Sequence, residues 1–96
     1  MKTPSLKTYT VRGAHIGSRD ELWAELGHAV NGAGGYFGNN LDALADCLGG
    51  DFGTPDDGKF RFRITDSAHA KAKLDRATWH GMLRVFEDAD VELDLD

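Results

Sequence analysis

The chain has 96 residues, which is the length of one small domain with a single hydrophobic core. Its hydrophobic fraction of 41% and charged fraction of 28% are those of an ordinary globular protein, which argues against disorder and against a repeat array. The formal net charge is −5, and a chain of this sign repels nucleic acid and attracts basic proteins, although acidity can also serve solubility alone. We therefore predict one domain over residues 1–96 that does not bind nucleic acid directly.

Two features bear on where the protein works. The opening MKTPSLKTYT has no apolar run of the signal-peptide kind, and no window approaches the roughly 18 apolar residues of a membrane span. Cys47 is the sole cysteine and allows no disulfide within the chain, which agrees with a reducing compartment. These features predict a cytoplasmic protein with no membrane segment.

Apolar and polar residues alternate in three stretches, which predicts strands at 6–12, 60–64 and 91–95. Segments with helical periodicity separate these predicted strands. Strands that are separated by helices require crossover connections, so we expect an α/β fold with a small three-stranded parallel sheet and about four helices. Because the strands alternate instead of being apolar throughout, helices should cover one face of the sheet better than the other.

Capping residues set the predicted helix ends. Ser18 and Glu21 form an S-x-x-E capping box for a first helix that runs to about Val30. Asn40 is placed to cap a short helix from Leu41 to the Gly49-Gly50 pair. A third helix is predicted over 67–74, and Thr78 is predicted to cap the last one.

A glycine-rich loop, NGAGGYFGNN at 31–40, precedes the short helix. It is not a nucleotide-binding loop, because its glycines do not satisfy G-x-G-x-x-G, no Gly-Lys-Ser/Thr follows, and it comes after a helix and not a strand. Tyr36 has two interpretations, a core residue or an exposed contact residue, while Phe37 is placed to pack against the helix. The segment 51–58 has the composition of a turn.

The short helix carries two carboxylates that its own stability does not require. Leu41, Leu44 and Leu48 form its apolar stripe, and Asp42 and Asp46 share the other face four residues apart. Two like charges at this spacing repel, and Asp46 lies toward the C-terminal end of the helix, where negative charge is disfavoured. A residue that opposes local stability is a candidate for function.

Several kinds of chemistry are conceivable for the polar side chains of this sequence. The four histidines lack the spacing of a metal site, and Cys47 flanks the apolar stripe, where a packed core thiol is the simpler interpretation. Asp42 and Asp46 could form an acid/base pair of a small hydrolase, but an exposed pair of carboxylates is a better ligand for arginine or lysine. We expect no catalytic role, no cofactor and no metal.

Residues 36–48, YFGNNLDALADCL, closely resemble the signature segment of the barstar family of ribonuclease inhibitors. The segment VFEDA at 85–89 is similar to the family's last helix, and the predicted order of elements fits the family's parallel sheet with helices. The resemblance implies an inhibitor that is held in the cytoplasm and forms a 1:1 complex with a secreted, basic, guanyl-type ribonuclease similar to barnase.

In that family the short helix and the loop before it plug the active site of the enzyme. The resemblance therefore implies a partner-binding role for Tyr36, Phe37, Gly38, Asn39, Asn40, Asp42, Ala43, Ala45, Asp46 and Asp88. Asp46 would replace a substrate phosphate among the enzyme's arginines and histidine, Asp42 would pair with a neighbouring cation, and Tyr36 would pack against the catalytic histidine.

The chain departs from the family pattern at several of these positions. Ala45 stands where a tryptophan is typical, which removes contact surface and bears on partner choice. Asp88 stands in place of a glutamate and follows Glu87, so either acid, or neither, makes that contact. Asn39 replaces a common acid. An immunity or adaptor module that binds a different basic protein is therefore the alternative.

Overall fold

The computed structural model describes residues 7–50, 52–55 and 59–96. Three strands and four α-helices lie within these ranges: β1 (Lys7–Arg12), α1 (Arg19–Asn31), α2 (Leu41–Leu48), β2 (Phe60–Thr65), α3 (Ser67–Lys73), α4 (Arg76–Asp88) and β3 (Glu92–Leu95). The predicted elements are all present. Periodicity did not predict the 3-10 turn at Gly13–His15. Leu6, Asp51 and residues 56–58, which the predicted first strand and turn include, lie outside the described residues.

The three strands form one parallel sheet, as predicted. Their order in the sheet is β1-β2-β3. Tyr9 lies opposite Phe62, and Phe62 lies opposite Leu93, so one face of the sheet is apolar across all three strands. The other face carries the polar members of the alternation. There Arg61 pairs with Glu92 at 3.3 Å and Arg63 with Asp94 at 2.9 Å. These charged rows confirm that one sheet face is left largely without a helical cover.

Phe62 lies at the middle of the core, on the central strand. Its ring centroid is 5.3 Å from that of Tyr9, 5.1 Å from that of Phe86 on α4, and 5.7 Å from that of Phe37. Such aromatic pairs add about 0.5–1.5 kcal/mol each beyond their burial. Helices complete the core with buried side chains from α1, α2 and α4: Leu22, Leu26, Leu44, Cys47, Leu48, Trp79, Met82 and Phe86.

The first helix begins as its capping box predicts, with one difference. The Glu21 backbone N–H donates to Ser18 Oγ at 3.3 Å. The Glu21 carboxylate, however, accepts from the backbone N–H of Gly17 at 2.9 Å and not from that of Ser18. The helix N-terminus is satisfied either way.

The prediction that Thr78 caps the last helix is wrong. The cap is Asp75, which has extended backbone geometry and whose carboxylate accepts from the Thr78 backbone N–H at 3.3 Å. Thr78 lies inside the helix, is buried, and donates its hydroxyl to the same carboxylate. Asp and Thr are both good capping residues, so residue type does not decide between them. What decides is the position at which the helix begins.

None of the helices in the described residues has the length and apolar composition that a membrane crossing requires.

The Asp75 cap makes a testable contribution to acid stability. The hydroxyl hydrogen bond from Thr78 is the main cause of a lowered Asp75 pKa, relative to a usual value of 3.8. A carboxylate with a lowered pKa stabilises the fold above its unfolded-state pKa, and that contribution is lost as pH falls through the folded-state pKa. Urea unfolding should therefore show a deficit for Asp75→Asn at pH 7 that narrows below about pH 3.8. A deficit that does not change with pH would contradict the assignment.

Gly27 is the point at which α1 meets the loop that follows it. A Cβ at Gly27 would overlap the backbone carbonyl of Gly35 and lie 3.3 Å from Cα of Tyr36. The missing side chain therefore allows the backbone of this loop to lie directly on α1.

Gly27→Ala should lower the free energy of unfolding by about 1–3 kcal/mol, because the new methyl group has a rigid backbone in its way. In an unobstructed helix the same change would instead stabilise by about 1 kcal/mol. Gly81→Ala in α4 is the matched control, since its methyl would meet only the flexible end of Leu41. Chemical denaturation of both variants tests this, and a stabilised Gly27→Ala would contradict it.

Candidate functional site

The loop before α2 is fixed to the core by Phe37. This side chain is 0% exposed and packs on Phe62 of the central strand. The Phe37 side chain is therefore part of the core, and the partner contact that the resemblance implied for this residue stays a prediction. Gly38 is also buried, with φ at 94°, and a Cβ there would lie 2.9 Å from the backbone nitrogen of Leu44. Both residues therefore act by placing their neighbours.

Tyr36 is the residue that this arrangement presents to solvent. Its side chain is 50% exposed, which favours the contact interpretation over the core interpretation. Its backbone carbonyl accepts from Asn31 Nδ2 at 2.8 Å. The same amide donates to the carbonyl of Phe52 at 2.8 Å, and the Phe52 side chain is 42% exposed. One amide thus holds the backbone of two exposed aromatic residues.

The sequence did not single out Asn31 and Phe52. Asn31 was placed at the start of the glycine-rich loop, and Phe52 in a turn. The only signal was composition, namely an amide at a helix end and an aromatic residue in a polar turn. Neither signal identifies the carbonyl groups that the amide reaches, because they are 5 and 21 residues away along the chain.

The short helix α2 begins where predicted. Asn40 Oδ1 accepts from the backbone N–H of Ala43 at 2.7 Å, and Asn40 Nδ2 donates to Asn39 Oδ1 at 3.2 Å. Leu44 and Leu48 are buried, while Leu41 is partly buried and packs toward α4 beside Gly81. These contacts determine which side of α2 faces solvent.

The exposed side of α2 carries Asp42, Ala45 and Asp46, with Ala43 half-buried beside them. Within the described ranges neither carboxylate accepts a hydrogen bond from a side chain or forms an ion pair. The last turn of the helix contains no basic residue to offset Asp46. Two carboxylates on one exposed face, each without an internal partner, can accept cations from another molecule.

The pair Asp42 and Asp46 does not resemble the paired carboxylates of an enzyme active site. Both aspartates lie on an exposed helix face, whereas an acid/base pair depends on burial or on strong neighbours to separate its pKa values. Burial and then the charge of Asp46 raise the pKa of the Cys47 thiol. Since Cys47 is 1% exposed, the prediction of a packed core thiol is confirmed.

Metal-binding chemistry finds no support in the part of the chain that the structure describes, where no three His, Cys, Asp or Glu side chains come together as a site. Glu25, three residues before His28, pairs with Arg12 at 2.7 and 3.0 Å.

Asp88 is on α4, whereas the other predicted site residues are on α2 and in the loop before it. It is exposed at the last position of α4 and borders a shallow groove with His80, Leu83, Arg84 and Glu87. Helix α4 packs against α2 near Gly81 and Leu41, but no described contact joins Asp88 to Asp42 or Asp46. Its membership of the same surface stays a prediction, and Glu87 is equally exposed.

The cap on α2 can be tested separately from its carboxylates. Asn40→Ala removes the acceptor for the Ala43 N–H and should lower the free energy of unfolding by about 1 kcal/mol. Asn40→Asp keeps an acceptor at that position, so it should retain most of the stability. Equal losses in the two variants, measured by urea unfolding, would show that capping is not the reason for Asn40.

A search of curated proteins found no match to this chain. A family model described as "Barstar (barnase inhibitor)" matches residues 6–95. The match takes in both α2 and the loop before it, together with all three strands and the other helices. Since it covers nearly the whole sequence, this chain belongs to the Barstar family.

Proposed function

We propose that the protein inhibits a secreted, basic, guanyl-type ribonuclease by presenting α2 to the enzyme's phosphate-binding active site. The observation that supports this most directly is the exposed pair Asp42 and Asp46, which form no ion pair with any residue that the structure describes, together with the half-exposed Tyr36. Family membership supports the same class of partner.

In this proposal Asp46 takes the place of a substrate phosphate. A carboxylate accepts hydrogen bonds from arginine in the same planar, two-pronged way as a phosphate does, so it can fill such a site without being cleaved. Asp42, one turn earlier, pairs with a neighbouring cation of the enzyme. Tyr36 packs its exposed ring on the catalytic histidine, which is consistent with the frequency of tyrosine at interface hot spots.

The remaining contact residues surround this centre. Ala43 and Ala45 on α2, and Asn39 and Asn40 before it, contribute surface and hydrogen-bonding groups, with Asp88 at a second point on α4. Phe52 joins them as an exposed aromatic residue next to Tyr36. Phe37 and Gly38 belong to the site as the supports that place Tyr36 and α2.

The charge of the chain sets how such a complex forms. A net charge of −5 attracts a basic enzyme over a distance of about one Debye length, which is ~8–10 Å in physiological salt. Association should be fast and should slow as salt is added. The proposed setting is a 1:1 complex in the cytoplasm of the producing cell, with no cofactor and no turnover of its own.

A second candidate is an immunity or adaptor module whose basic partner is not a ribonuclease. Ala45 favours it, because this exposed position at the centre of the α2 face offers only a methyl group. A pull-down from the native cell separates the two candidates by the identity of the captured partner.

The direct test is RNA cleavage by barnase-type ribonucleases with and without the protein. Cleavage should stop once the protein reaches molar equivalence with the enzyme. Full activity of several such enzymes at micromolar protein would reject ribonuclease inhibition.

Asp46→Asn gives a sharper test, because helix energetics and binding change in opposite directions. The free protein should be as stable as the wild type or more stable by about 0.2–0.5 kcal/mol, since a like-charge pair is removed. The complex should weaken by about 2–5 kcal/mol, a range that complexes of the barstar family themselves help to define.

Asp90→Asn is the matched control, because it removes the same charge at an exposed position outside α2 and asparagine tolerates the positive φ of 58° there. It should change the association rate slightly and the dissociation rate not at all. If Asp46→Asn destabilised the free protein as much as the complex, Asp46 would be structural and the mimicry proposal would fail.

A further inference from the structure

A groove of about 700 Å³ lies directly beside the Asp42 side of α2. The first turns of α1, the residues around the start of α2, and α4 surround it. Its lining residues are Arg19, Asp20, Trp23, Asn39, Asn40, Leu41, Asp42 and Thr78. Three of these, Asn39, Asn40 and Asp42, belong to the proposed partner-binding surface, so the groove is continuous with that surface.

The charges of the groove are not balanced inside it. Arg19 lies close enough to Asp75, the cap of α4, for its charge to contribute to the lowered Asp75 pKa, after the larger effect of the Thr78 hydroxyl. Arg19 forms no ion pair within the described ranges, so the groove carries one positive side chain and two negative ones. Asp20 and Asp42 form no ion pair within the described ranges, and both are exposed.

The groove lining also includes an aromatic side chain. Trp23 packs partly against the core and is half-buried, so part of its ring lines the groove. An indole face next to two carboxylates suits a guanidinium group, which can stack on the ring while its N–H groups donate to the acids. A neutral group would gain only from the ring. Arg19 opposes a cation, but the two carboxylates outnumber it.

We propose that this groove is a second recognition subsite, which receives an arginine side chain of the same basic partner that Asp46 binds. The proposal rests on the proposed function for the identity of that partner. It extends the interface from α2 onto α1, through Trp23 and Asp20. Because Ala45 offers little contact area, this subsite supplies an aromatic anchor on the other side of Asp42.

The first experiment needs no ribonuclease. Titration of the full ¹⁵N-labelled protein with Nα-acetyl-arginine amide should shift the Trp23 indole N–H and the amides of residues 19–23 and 39–42 saturably at millimolar concentration. The buried Trp79 indole is the internal reference and should not shift. Nα-acetyl-citrulline amide, which has nearly the same shape without the charge, should produce no saturable shift.

Three variants separate this subsite from the α2 face. Asp20→Asn should weaken arginine binding at the groove about threefold, as expected for one exposed charge pair. Trp23→Leu should abolish the shifts of residues 19–23 while remaining folded. Asp46→Asn should leave the groove shifts unchanged. Equal shifts with arginine and citrulline, or no shift at Trp23, would overturn the proposal.

The same variants distinguish a failed subsite from a failed function. With a barnase-type ribonuclease that the wild type inhibits, Asp20→Asn should raise the inhibition constant about tenfold, and Asp90→Asn should not. An unchanged constant for Asp20→Asn would overturn the subsite while leaving ribonuclease inhibition in place. If no ribonuclease is inhibited but arginine binding at Trp23 persists, the subsite stands and its partner is a different basic protein.

Discussion

The packing of Phe37 on Phe62 is the contact on which the candidate site depends. Phe62 lies on the central strand and also contacts Tyr9 and Phe86, so this one ring joins the sheet to α4 and to the loop before α2. With Phe37 buried, the preceding Tyr36 must point outward and the following Gly38 lies against the backbone of α2. Phe37 thus anchors the loop to the core, whereas Tyr36 is available for contact with a partner.

Helix α2 shows how stability and function are divided within eight residues. Its leucines and Cys47 hold it on the core, and the Asn40 cap satisfies its N-terminus. Its aspartates do neither, and the repulsion between them costs a few tenths of a kcal/mol at most, about 0.2–0.5 by the usual scale for such pairs. A folded domain tolerates this small cost in stability. The two carboxylates therefore remain available to bind an external cation.

Local chemistry predicted the elements of this fold well, because periodicity and caps act within a few residues. The sequence correctly predicted three such features: the Ser18 capping box, the Asn40 cap and the parallel direction of the strands. Interactions between distant segments could not be predicted in this way. Asp75 was overlooked as a cap for a separate reason, because Thr78, three residues later, is also a good capping residue. The packing of Phe37 on Phe62 was not predicted, because Phe62 is 25 positions away in the sequence. For the same reason the sequence did not predict three further features: the hydrogen bonds from Asn31 to the carbonyls of Tyr36 and Phe52, the close approach at Gly27, and the groove at Trp23.

We propose that Asp46 occupies a phosphate position of the enzyme, and competition with a nucleotide tests this most directly. The dissociation constant of the complex with a barnase-type ribonuclease should be measured at increasing concentrations of guanosine 3′-monophosphate. If the carboxylate and the phosphate share one position, the apparent constant rises in proportion to the nucleotide concentration, with no ternary complex. A dissociation constant that stays unchanged when the enzyme is saturated with nucleotide would contradict phosphate mimicry.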